Sequence, residues 1–192
     1  MMPKVLLASK SPRRRELLER MGLDYTVLSV ESDEWFPEGL SPAEIVKHIS
    51  LTKAYAAANM VAPEDLVITA DTMVFLDDKK LGKPASEEEA FAMLSALSGR
   101  EHLVCTGVTL MQGNRTLTEV ETTAVRFAAL SEETIRAYIR TGESMDKAGA
   151  YGIQGIGALL VEGIRGDYFN VMGLPVYRLS CMLKKFGIDV LS

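Results

Sequence analysis

The sequence is short of cysteine, histidine and long apolar runs, and each shortage removes a class of protein. Its two cysteines, Cys105 and Cys181, lie far apart and form no CxxC pair. A disulfide framework and a structural zinc site are therefore not expected, and buried thiols are the plain reading. The two histidines, His48 and His102, do not form a ligand pair. No Gly-x-Ser-x-Gly elbow, Walker P-loop or G-x-G-x-x-G turn occurs, so any phosphate site must use another device. No apolar run approaches the roughly 20 residues that span a bilayer, and the opening MMPKVLLASKSPRRR holds too short an apolar stretch for a signal peptide. The chain therefore reads as cytoplasmic, with no membrane partner. Net positive charge is lacking too: at −5, the chain has no general surface for a nucleic acid polymer, and any anion site must be local.

What is present is ordinary globular material, 47% hydrophobic and 24% charged over 192 residues. That length suits one catalytic domain, residues 1–192, rather than several. Val5 to Ala8 reads as a short strand running into a helix, with Ser11 as N-cap, Pro12 as first helical residue and Gly22 as a left-handed stop. Tyr25 to Val30 is β-prone. Ser41 and Glu44 make a capping box with Pro42 at the first helical position, and Ser86 with Glu89 repeats the pattern, the second helix closing at Gly99. Leu66 to Ala70 reads as a buried strand ending at Asp71-Thr72, extended by Met73 to Leu76 toward a turn at Asp77-Asp78-Lys79. Segments 103–111 and 116–127 read as a hairpin about Gln112-Gly113-Asn114. Ser131 caps a further helix, a glycine-rich stretch runs from Gly149 to Gly157, a strand pair is expected around 158–172, and a last helix follows Pro175. Strands alternate with helices, yet hairpins forbid a purely parallel sheet. The expected class is α/β, a mixed-sheet sandwich with a cleft.

Chemistry must then rest on carboxylates, lysines and arginines. Arg13, Arg14 and Arg15 fall in the first turn of a helix whose N-terminus already carries positive dipole charge, a conflict that a bound phosphate would resolve. Ser9 and Ser11 add hydroxyls there; the alternative is a solvated basic turn. Asp71 interrupts an apolar run, where it suits a metal ligand or a base for water, or else simply caps the next turn. Lys53 lies on the same helical stripe as Val46 and Ile49, so it needs a partner or snorkels to the surface. Lys83, in Gly82-Lys83-Pro84, sits on a stiffened loop where the backbone permits close approach. Glu31, Asp33, Glu34 and Glu38 are candidate oxygen ligands for Mg²⁺ or Mn²⁺, though such a run is commonly a solvated loop. The segment Asp146 to Gly155 mixes glycine with Tyr151, Ile153 and the amide of Gln154, which can meet a base edge or lie plainly on the surface.

Taken together, Ser9-Lys10-Ser11-Pro12-Arg13-Arg14, Glu34, Lys53, Ala70-Asp71-Thr72, Gly82-Lys83-Pro84, Asp146 to Gly155 and Gly173-Leu174-Pro175 resemble the Maf family of nucleotide pyrophosphatases. The resemblance runs in order from about residue 4 to 180. It implies a mixed-sheet, two-lobed α/β fold shared with inosine-triphosphate pyrophosphatases, a homodimer, a divalent metal (Mg²⁺ or Mn²⁺) and hydrolysis of a nucleoside triphosphate to the monophosphate and pyrophosphate. Carried over by position, Asp71 is the proton acceptor, Arg13, Thr72 and Gln154 are specificity positions, and Glu34, Lys53 and Lys83 complete the metal and phosphate site. The segment Asp146-Lys147-Ala148-Gly149-Ala150-Tyr151-Gly152-Ile153-Gln154-Gly155 is similar to that of the dTTP/UTP branch. Ser32 and Arg15 depart from the usual pattern. Whether Asp71 acts as base or as metal ligand stays open, as do two other activities: a nucleotide-binding regulator of septum formation, and a pyrophosphatase for methylated or otherwise modified nucleotides.

Overall fold

The computed structural model describes residues 3–192, which divide into two compact units. Among the described residues the first comprises 3–72, 106–121 and 173–192; the second comprises 73–105 and 122–172. Three strands contribute residues to both, within a seven-stranded mixed sheet of order β2-β1-β3-β5-β6-β7, with β4 paired to β3.

In the first unit, β1 (Val5–Leu7) lies parallel to both β2 (Thr26–Val27) and β3 (Leu66–Leu76). Parallel neighbours require crossovers, and helices supply them: α1 (Pro12–Arg20) between β1 and β2, and α2 (Pro42–Ala58) between β2 and β3. Pro12 opens α1 and Gly22 follows it at φ 70°. The capping box of α2 is complete: the Ser41 hydroxyl accepts from the Glu44 N–H while the Glu44 carboxylate accepts from the Ser41 N–H at 2.8 Å. One part of the core gathers Leu6, Ala8, Ala57 and Val67, with Leu28, Val30 and Val61 packed on it. Gly107 sits where a Cβ atom would fall on the Val46 carbonyl, so a glycine in β5 (Glu101–Gln112) is what allows α2 to approach the sheet so closely. Gly113 and Asn114 connect β5 to β6 (Arg115–Phe127), and α6 (Val176–Lys185) starts after Pro175. Arg178 of α6 donates to Glu119 and Glu121 at 2.9 and 2.7 Å.

The second unit begins with the end of β3. Asp77 and Asp78, both at positive φ, turn the chain into β4 (Lys79–Leu81), which pairs antiparallel with β3. Next, α3 (Glu87–Leu97) packs on α4 (Glu132–Arg140), each capped by the expected serine. Ser86 accepts from the Glu89 N–H, but the Glu89 carboxylate turns to the Ala85 N–H at 2.7 Å, so this capping box is shifted by one residue. His102, Phe127 and Tyr151 meet edge to face in the core, with centroids 4.7 to 5.4 Å apart. Short 3₁₀ turns cover 148–150 and 156–160, and β7 (Val161–Arg165) pairs antiparallel with β6.

One sequence expectation holds and one changes. The strand from Leu66 does extend past Asp71-Thr72 to Leu76, so that β3 runs 11 residues and Asp71 is a buried interior position. Instead of a strand pair over 158–172, there is one strand and then α5 (Tyr168–Met172). The Asp167 carboxylate accepts from the Phe169 N–H at 2.8 Å, and this local cap starts a helical turn despite the β-prone side chains that follow.

Candidate active site

The first unit collects most of the charged candidates. On α2, a buried face of Ile45, Val46, Ile49, Ser50, Ala54 and Ala57 holds the helix against the sheet, and Lys53 leaves the flank of that face toward β3. Its ammonium lies 2.8 Å from Asp71 Oδ1 and 3.1 Å from Glu34 Oε1. Lys53 therefore does not snorkel outward: its side chain is 18% exposed and that of Asp71 only 7%, against 59% for Glu34. The second Asp71 oxygen, Oδ2, is buried and meets no hydrogen-bond partner in the protein. An ionised carboxylate with one oxygen unmet is costly to bury, so this atom is poised for a further group.

A second cluster lies at the start of α1. The Arg14 guanidinium donates to the Gly173 carbonyl at 2.8 Å, to Ser9 Oγ at 3.1 Å and to Thr72 Oγ1 at 3.0 Å. Thr72 in turn donates to Gly173 at 3.2 Å and shares a bond of 2.8 Å with Thr106. Burial pulls the Arg14 pKa below its ordinary value, the charge of Asp71 opposes that fall, and the nearby Arg13 adds to it. Ser11 holds the N-cap position of α1, but its hydroxyl makes no capping bond; its N–H instead donates to Ser9 Oγ at 3.2 Å. No acidic side chain of α1 itself stands in its first turn to offset the positive end of the helix. The first unit thus brings together Ser9, Ser11, Arg13, Arg14, Glu34, Lys53, Asp71 and Thr72 in two adjoining sets.

Two of the residues that complete this network stand outside the sequence candidates. Thr106 gave no local signal. Gly173 belongs to the quoted Gly-Leu-Pro motif, and the structure explains it: φ 124° is strained for any residue with a Cβ, and that backbone aims its carbonyl at Arg14 and Thr72.

Lys83 and Gln154 lie in the second unit. Lys83 is exposed on the loop after β4, and that loop is tied to the glycine-rich segment by the Gly149 N–H donating to Gly82 O at 3.1 Å. Gln154 is exposed in the turn between the two 3₁₀ segments, flanked by buried Ile153 and Gly157. Among the described residues no three His, Cys, Asp or Glu side chains cluster as a metal site. Likewise, no described helix is long and apolar enough to cross a membrane.

Known proteins share both sequence and fold. A dTTP/UTP pyrophosphatase of Symbiobacterium thermophilum is 49% identical over 191 residues, covering 100% of this chain and 98% of its own. Another, of Moorella thermoacetica, is 50% identical over 191 residues, with 98% of each chain covered. Among solved structures, a HAM1 protein from Coxiella burnetii superposes with a TM-score of 0.52 at 16% identity, over 96% of this chain and 100% of that one, a likeness of fold. The family model described as Maf-like protein matches residues 4–186. With nearly the whole chain inside that match, and the glycine, serine, arginine and aspartate motifs lying within it, this chain belongs to the Maf-like protein family.

Proposed function

We propose that the chain hydrolyses dTTP and UTP to the nucleoside monophosphate and pyrophosphate by attack of water on the α-phosphorus. The reading is carried by the buried, unpartnered Asp71 Oδ2 beside the Lys53 ammonium, and is supported by relatives of about half identity over full length that are named for this activity. Water bonds to the α-phosphorus, its proton passes to Asp71 Oδ2, and the bond to the β-phosphate oxygen breaks. Lys53 keeps Asp71 oriented through Oδ1, so that Oδ2 alone faces the reacting water. Arg14, Arg13, Ser9 and Ser11 offer donors to the leaving phosphates, with Thr72 held in place by Arg14 and Gly173, and Lys83 adding a further cation. Gln154 presents an amide to the O4 and N3–H edge that thymine and uracil share.

The donor set fits a divalent cation such as Mg²⁺ or Mn²⁺. Glu34 and Asp71 are hard oxygen donors, one Asp71 oxygen is unmet, and two protein carboxylates with phosphate oxygens and water make a common set for such an ion. Bound there, the ion would neutralise phosphate charge and polarise the α-phosphoryl group. Proton acceptance and ion binding are alternative roles for the same Asp71 oxygen, Oδ2. In assembly, the resemblance points to a homodimer.

Incubating dTTP with the protein and Mg²⁺ in heavy-oxygen water tests the reaction. Equal amounts of dTMP and pyrophosphate are expected, with the label in dTMP alone. Release of dTDP and orthophosphate would overturn the assignment.

A further inference from the structure

Within the second unit, the turn that carries Gln154 is held from both sides by one carboxylate and one phenol. Glu143, just beyond the end of α4, accepts from the N–H of Ile156 at 2.9 Å and of Gly157 at 2.9 Å, one on each oxygen. The Tyr138 hydroxyl, on α4, donates to Glu143 Oε1 at 2.9 Å and accepts from the Gly152 N–H at 3.1 Å. The amides two residues before Gln154 and two and three residues after it thus all lead back to the end of α4. Space is equally committed: a Cβ on Gly155 would fall on the Glu143 carboxylate, and one on Gly157 on the Gly152 carbonyl. The Lys147 ammonium, reaching the Glu143 carbonyl at 3.1 Å, ties in the preceding stretch. Burial pushes the Glu143 carboxyl up, but the hydrogen bonds from Gly157, Ile156 and Tyr138 outweigh it and hold it below its ordinary value. This carboxylate is held mainly by two backbone amides and a phenol, with the Lys147 charge the lesser influence, an arrangement that fixes backbone more than it adds charge.

We infer that Glu143 and Tyr138 are positioning residues for base selection: they hold the 152–157 turn in the one conformation in which the Gln154 amide meets a pyrimidine edge. The inference rests on the reading that Gln154 reads the base. An amide that must discriminate the thymine and uracil edge from cytosine, which carries an amino group at position 4, needs its carbonyl and N–H fixed, since rotation of the turn would serve either pattern equally. Neither residue is assigned contact with the nucleotide.

The test compares kcat/KM for dTTP and CTP in the wild type, Glu143→Gln, Gln154→Ala and the double variant, with hydrogen exchange at the 152–157 amides. Glu143→Gln keeps size but replaces one acceptor oxygen with a donor. It is expected to lower the dTTP/CTP ratio by about tenfold, the worth of one lost hydrogen bond, to speed exchange at Ile156 and Gly157, and to add nothing further in the Gln154→Ala background. Should Gln154→Ala lower the ratio while folded Glu143→Gln leaves it unchanged, the positioning role is overturned and the base-reading role stands. If Gln154→Ala itself leaves the ratio unchanged, the base-reading role falls and the positioning role with it. Tyr138→Phe, which removes only the hydroxyl, gives the same readout if Glu143→Gln does not fold, and a wild-type ratio there likewise overturns the inference.

Discussion

The two units hold their polar residues in place by opposite means. In the first, cations on helices reach their partners directly: Lys53 of α2 meets the carboxylates of Asp71 of β3 and Glu34, and Arg14 of α1 meets Ser9, Thr72 and the Gly173 carbonyl. In the second, an irregular turn is held by amides donating to one carboxylate, and the residue it displays, Gln154, is neutral. Under the proposed function the difference suits two tasks. A triphosphate needs cations whose charge survives desolvation, whereas a base edge needs a donor and an acceptor whose directions are fixed and whose net charge is zero. Charge tolerates small displacements because its energy falls off slowly with distance, and hydrogen-bond readout does not. The first unit can therefore rely on long side chains, while the second must rigidify its backbone.

The largest effect that separates these two modes is expected at Asp71. Asp71→Asn keeps the shape and the contact with Lys53 but removes the negative charge and the free carboxylate oxygen. Turnover of dTTP should fall by about 10²-fold or more, while the dTTP/CTP preference of the residual activity is unchanged. A variant with near-normal turnover removes Asp71 from the chemistry. One with altered base preference shows that the charged and neutral sites do not act separately.

The next effect belongs to the second unit and to pH. His102 is 2% exposed, with Nε2 2.7 Å from the Tyr151 hydroxyl and Nδ1 meeting no partner, and burial pulls its pKa from 6.5 to about 4. A histidine with a lowered folded pKa is held neutral in the native state. The unfolded chain takes up a proton first as pH falls, so this stability is complete above 6.5 and drains away between 6.5 and about 4. The loss across that window is about 3 kcal/mol at most for a shift of this size. Urea unfolding at about pH 7 and about pH 4.5 should show the wild type losing more stability on acidification than His102→Gln does. Equal losses would mean that this imidazole does not govern the acid lability of the second unit.

Much of this organisation is legible in the sequence where the signal is local. The Ser41 and Glu44 box, the Gly113-Asn114 turn and the Ser131 cap each specify their own structure within a few residues. Lys53 is legible as a problem, a cation flanking an apolar stripe, although its partners are not. What escapes is whatever depends on distant pairing. Arg14 meets Gly173 across 159 positions. The burial of Asp71 in mid-strand depends on β1 and β4 pairing with the two ends of β3, and an interrupting aspartate looks the same in mid-strand as at a strand end. Glu143 drew no notice in the sequence: two of its partners are backbone amides 13 and 14 positions away, which leave no trace in side-chain patterning, and the third is the Tyr138 phenol. Gly107, by contrast, was there to be read, since a glycine inside a strand marks a close backbone approach.

The smallest effect, and the finest test of how the first unit uses charge, is expected at Arg14. Its three nitrogens contact three different acceptors, so the side chain acts as a fork joining α1, β3 and the turn before α6, and in the proposed function it is also a cation for a phosphate. Arg14→Lys separates these roles. Lysine keeps the positive charge, but a single ammonium on a flexible stem cannot reproduce a planar set of three contacts, so Thr72 and the Gly173 carbonyl would lose a common donor. Pyrophosphate affinity measured by calorimetry should weaken by about 1–2 kcal/mol, comparable to one or two hydrogen bonds and less than the loss of a whole charge. Thermal stability should fall by a similar amount, because the buried acceptors lose their partner even without ligand. Unchanged affinity with lowered stability would assign the fork to architecture alone and leave phosphate binding to Arg13 and the helix terminus. Unchanged values of both would mean that charge by itself is enough, and that the first unit is less dependent on direction than its geometry indicates.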